Sequence, residues 1–141
     1  TSSSPADNAT AVATTSDIVL NFSEEVYTGS GNIVIYKSSS DSGIETIDVT
    51  SDQVTGTGTN QITINPSSDL EEQTQYYVQI AATAFDDSVG NSFAGISDKT
   101  SLSFTTADET APSAPTSLTT SSTTTNDNTP TITGSAELTA Q

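Results

Sequence analysis

The side chains able to do chemistry in this sequence are nearly all carboxylates. Eighteen Asp and Glu stand against two lysines, and arginine, histidine and cysteine are absent. Without His or Cys no Ser-His-Asp or Cys-His site can be assembled. Zinc would have to be held by carboxylates alone, an unusual donor set. Paired acids can hydrolyse glycosides. Here, however, the pairs Glu24/Glu25, Glu71/Glu72 and Asp86/Asp87 are sequence neighbours on expected loops, with no aromatic platform beside them. Lys37 and Lys99 carry no motif for an isopeptide bond. The chain therefore reads as non-catalytic. The chemistry left to so many oxygens is that of hard cations, since Ca²⁺ takes six to eight oxygen ligands from carboxylates, amides and backbone.

Where those oxygens lie depends on the elements that carry them. Ile18, Leu20 and Phe22 alternate, as do Ile33 with Ile35, Ile47 with Val49, Ile62 with Ile64, Tyr76 with Val78 and Ile80, and Leu102 with Phe104. Period-two alternation of this kind predicts half-buried strands. With a weaker first strand over residues 10–14, about seven strands result, the number of an antiparallel sandwich. No stretch carries a sustained helical period. Residues 84–100 are left as a long connection between the last two strands, of a length that is usually functional or metal-stabilised.

Antiparallel order then assigns loops to poles. If the second strand ends at Ser23, then Asp7, Glu24, Glu25, Asp86, Asp87 and Asn91 gather at one end of the sandwich. Asp17, Asp69, Glu71, Glu72, Asp108 and Glu109 gather at the other. The candidate Ca²⁺ ligands are therefore Asp86, Asp87, Asn91, Glu24 and Asp7 at the first pole, with Asp108 and Glu109 at the second. Gly90 would let the 86–91 loop fold back on a cation. The alternative is a turn in which Asp and Asn cap their own backbone.

Composition bounds the partners. A net charge of −16 excludes nucleic acid, whose phosphates are bound through Lys and Arg, and it disfavours anionic membrane surfaces. No apolar run is long enough to insert into a membrane. Self-repulsion at this charge works against a compact state, which a divalent cation would offset. Residues 108–115, Asp-Glu-Thr-Ala-Pro-Ser-Ala-Pro, read as an acidic linker stiffened by two prolines. Residues 116–141 hold two weak strands, 116–120 and 129–136, and too few apolar groups to bury a core alone. They read as the opening of a following module, and the chain as a segment of something longer.

Several segments together resemble the bacterial Ig-like repeat of the S-layer type. Pro5-Ala6-Asp7-Asn8-Ala9-Thr10 is similar to that family's opening, with Asn8 where a glycine is usual. Ile18 to Val26 is similar to its Phe-Ser-Glu-x-Val segment, Asp86 to Phe93 to its Asp-x-x-Gly-Asn-x-Phe loop, and Leu102 to Thr106 to its closing strand. The likeness spans about residues 4–107. Thr125 to Gly134, with Asn126, Asp127 and Asn128, resembles a different Ig-like repeat found in giant adhesins. The resemblance implies an all-β Ig-like sandwich over 1–107, a linker over 108–115 and a partial second module over 116–141. It implies a secreted or cell-surface structural spacer partnered by neighbouring modules of the same chain; the clustered carboxylates add the expectation that Ca²⁺ stiffens its poles. Two other roles stay open: a module that binds a glycan or protein receptor, and a fibre subunit that self-associates by strand donation from 116–141.

Overall fold

The computed structural model describes residues 1–120 and 132–135; the Asn126, Asp127 and Asn128 triplet and part of the expected 129–136 strand lie outside the described residues. The chain divides into two compact units, Thr1–Asp108 and Glu109–Gln141. The first unit runs through β1 (Ser2–Ser4), β2 (Ala9–Val12), β3 (Ile18–Thr28), β4 (Asn32–Lys37), β5 (Ser42–Asp48), β6 (Val54–Thr55), β7 (Thr59–Ile64), β8 (Gln75–Ile80), β9 (Phe85–Asp86) and β10 (Ser103–Thr106). One sheet has the order β1-β3-β7-β6, with β9 added to β3; the other has the order β2-β10-β8-β4-β5. All the pairings are antiparallel except that of β2 with β10, which is parallel. Two sheets with these neighbours make an Ig-like sandwich.

The alternating residues make the core. Ile18 lies opposite Ile64 and Leu20 opposite Ile62 in the first sheet. In the second, Ile33 is flanked by Ile47 and Ile80, and Ile35 faces Val78. These nine side chains, with Tyr76 and Phe104, are buried in one cluster. Each such burial is worth roughly 1.5–3 kcal/mol, and the β-branched residues that dominate the cluster also favour the extended backbone. Polarity reverses on the outer faces. There Tyr36 stacks on Tyr77 at 4.8 Å between ring centroids, with the Lys99 ammonium 5.7 Å from the Tyr77 ring.

The strands expected in the first unit all form, but two of them differ from expectation. β3 does not end at Ser23. It continues to Thr28, and its register against β7 slips between Asn21 and Val26. The slip is a bulge that carries Ser23, Glu24 and Glu25 outward, so these exposed acids are strand residues rather than loop residues. The first strand is also double. β1 pairs with β3, the chain then crosses at buried Pro5, and β2 pairs with β10 in the other sheet. In the second unit, β11 (Thr116–Thr120) pairs antiparallel with β12 (Ile132–Ser135).

The core fixes one expectation. Ile35→Ala should lower unfolding free energy by about 2–5 kcal/mol, whereas Ile44→Ala, on a half-exposed side chain, should change it by under about 0.5 kcal/mol. Urea titrations followed by tyrosine fluorescence measure both, and equal midpoint shifts would contradict this placement of the core.

Candidate functional site

The pole expected to hold a cation carries a cleft of about 200 Å³, lined by Phe22, Glu24, Phe85, Asp87, Asn91 and Phe93 among others. Three elements build it: the β3 bulge, β9 and the loop after β9. Phe85 is fully buried and Phe93 packs edge-on against Phe22 at 5.4 Å, so the aromatic rings wall the cleft and plug this end of the core. β9 is held by pairing of Asp86 with Tyr27 and Phe85 with Thr28, and by an Asp86–Ser92 bridge. The topology thus brings Glu24, Asp87 and Asn91 to one cleft, from segments more than sixty residues apart.

What the carboxylates do there is local. Asp87 Oδ1 accepts hydrogen bonds from the backbone N–H of Val89 (2.9 Å) and of Asn91 (2.8 Å), while Oδ2 accepts from Asn91 Nδ2 (2.7 Å). The Asp87 and Gly90 N–H groups close the turn on Asn91 O and Asp87 O, and Gly90 supplies the positive φ of 90° that the turn needs. The Asn91 side chain and then its N–H hold the Asp87 carboxyl below the usual carboxylate range. Asp86 accepts the Ser92 hydroxyl. A calcium shell wants six to eight oxygens. The cleft offers two carboxylates and one amide, one carboxylate already being committed to its own loop. Among the described residues no three carboxylates lie close enough to share a metal ion. This donor set fits a self-capped turn better than a cation shell.

Asp7 is not at this pole. It sits where the chain crosses between sheets, and its Oδ1 accepts from Ser103 N–H at 3.0 Å and Ser103 Oγ at 3.1 Å. The expectation erred because a strand that changes sheets halfway places its middle, not its end, beside the last strand. Asp108 and Glu109 are exposed and straddle the boundary between the two units.

One heavily hydrogen-bonded acid was not anticipated. Asp98 accepts from the N–H and hydroxyl of both Thr100 and Ser101, at 2.6–3.0 Å. These donors, the Ser101 hydroxyl first, pull its carboxyl well below the ordinary range. The signal was present as Asp98-Lys99-Thr100-Ser101, an acid followed by two hydroxyl residues, the same pattern by which Asp48 captures Thr50. Both lysines are paired. Lys37 meets Glu71 and Lys99 meets Asp41 at 2.6 Å, so each ammonium is raised and Asp41 lowered by its partner.

A family model described as a bacterial Ig-like domain matches residues 1–106. No curated protein matches the chain.

The caps set a pH dependence. Asp41, Asp48, Asp87 and Asp98 are depressed in the fold. Their contribution is therefore fully present above the unfolded value near about pH 4 and is lost as pH falls below it. Lys37 and Lys99, raised in the fold, act oppositely: their contribution holds below about pH 10.4 and is lost as pH rises through the folded values. Calorimetric midpoints should be flat from about pH 6 to 9 and fall on both sides. Asp98→Ala should lower the neutral midpoint and shorten the acid limb; an acid limb identical to the parent's would refute the cap.

Proposed function

Because the chain belongs to the bacterial Ig-like domain family, we propose that it is a non-catalytic spacer module of a bacterial surface protein, one unit in a series that holds other domains away from the cell. The observation that carries this reading is how its reactive and recognition groups are used. Of the candidate acids, Asp86 and Asp87 hold their own loop and Asp7 the sheet crossing, both lysines are paired, and Phe85 and Phe93 are spent on closing a pole. Of the described aromatics at this pole, Tyr27 is the most exposed, at 41%, while Phe22 and Phe93 are half-buried.

The second unit supports a serial arrangement. Ser2 pairs with Asn21 in the first unit and Thr116 with Ser135 in the second. In each case the unit's first strand pairs antiparallel with a later one. This supports reading 116–141 as the opening of a second sandwich after the 108–115 linker.

The spacer reading expects no saturable binding on glycan and host-protein arrays probed with the full chain. A specific hit that Tyr27→Ala abolishes would favour the receptor-binding alternative. Association that grows with concentration and vanishes on truncation after Asp108 would favour strand donation.

Calcium is a second reading, favoured by one observation: Glu24, Asp87 and Asn91 line the same cleft. Ca²⁺ bound there at tenfold over its Kd would add about 1.4 kcal/mol. In calorimetric titration of chelator-treated protein, this reading expects saturable heat and a raised melting temperature, both lost in Glu24→Gln. A flat titration leaves the self-capped turn as the whole account of the loop.

A further inference from the structure

The path of the chain through the first unit has a mechanical consequence. Thr1 lies at the cleft with Asp87 and Asn91. From there the chain descends β1, crosses at Pro5 and continues down β2 towards Thr14, whose carbonyl accepts the Leu70 N–H at the opposite pole. β10 runs the same way and leaves at that pole, where the Gln73 N–H donates to Ala107 O. The two strands are parallel neighbours, Phe104 opposite Ala9 and Thr106 opposite Val12. Tension applied through the ends pulls β2 towards one pole and β10 towards the other. The strands are then loaded along their length, and the bonds between them must break together rather than one by one.

That pair is closed at both ends. At the upper end Asn8 N–H donates to Ser103 O at 2.7 Å, and Asp7 Oδ1 accepts from Ser103 N–H and Oγ. At the lower end Ala107 N–H donates to Val12 O at 2.7 Å. Ser103 is buried. Bonds to an ionised acceptor are roughly twice as strong as neutral ones. The register slips between Phe104 and Thr106, so the regular ladder is short and the end locks carry much of its grip. Asp7 joins strands ninety-six residues apart in sequence.

We propose that Asp7 is the lock of a tension clamp: its carboxylate, on Ser103, holds β2 against β10 when the module is pulled through its ends. The proposal rests on the spacer reading for its purpose and on the topology for its substance. It assigns Asp7 a mechanical role where the sequence had suggested a ligand.

The test is constant-force spectroscopy on the full chain, held by cysteines introduced at Thr1 and Ala111, which the cysteine-free sequence makes unique. Forced unfolding reports the unfolding rate rather than the equilibrium. Asp48→Ala serves as the control, since Asp48 caps Thr50 at the end of β5, the sheet edge opposite β2. Asp7→Ala should unfold about tenfold faster or more at fixed load, the effect expected for losing charge-assisted bonds. Its acceleration should exceed that of Asp48→Ala after each is scaled to its own stability loss in urea. Asp7→Asn and Ser103→Ala, milder changes that keep part of the contact, should fall between. If all four variants accelerate only in proportion to their equilibrium losses, the clamp is wrong. The spacer reading is judged by the binding arrays, so the two can fail separately.

Discussion

Carboxylates so outnumber cations here that they cannot be satisfied by ion pairing. With eighteen acids and two lysines, the donors must come from backbone N–H groups, hydroxyls and amides. The Ser and Thr richness of the chain supplies them. Asp48 takes Thr50, Asp98 takes Thr100 and Ser101, Asp87 takes Val89 and Asn91, Asp7 takes Ser103, and Asp17 takes Asn65. Each contact shortens the freedom of a loop or joins two strands. The acidic surface is thereby converted into turn chemistry, which needs no bound ion. The same exchange explains why acids that looked like ligands are so often already occupied.

The strands were the readable part. Alternation of Ile, Val, Leu and aromatic residues marked every long strand of the first unit, because inward positions must be apolar when one face is buried. What escaped were elements without that signature. Ser2-Ser3-Ser4 pairs with β3 but shows no apolar side chain; β6 and β9 are two residues each. The β3 bulge interrupted the alternation at Ser23, so Glu24 and Glu25 looked like the start of a loop. Pro5 was the available clue to the crossover between sheets, since proline in a strand marks an edge or a break.

The site was readable in position more than in chemistry. Parity of antiparallel strands was enough to bring Glu24, Asp87 and Asn91 together, because an even number of passes returns the chain to the same end. Parity says nothing about what a carboxylate faces once it arrives. That depends on whether hydroxyls and N–H groups stand two to four residues on, as they do after Asp87 and Asp98. A short-range pattern, acid followed by Thr, Ser or Asn, was the better guide to the role of each acid than the long-range clustering.

These two scales of contact divide the work of the fold. Caps such as Asp87 on Asn91 close loops of a few residues and add little to the order of the whole chain. Asp7 on Ser103 closes a loop of nearly the entire unit, and it does so beside the strands through which the chain enters and leaves. Loop-closure entropy grows only slowly with length, so the stability gained by such a long-range contact need not be large. Its distinction is directional. A contact between neighbours in sequence is never stretched when the ends are pulled, whereas one between the first and last strands lies across the load. In a module with no disulfide, the acid placed at that crossing is therefore the one whose loss the ends would feel most.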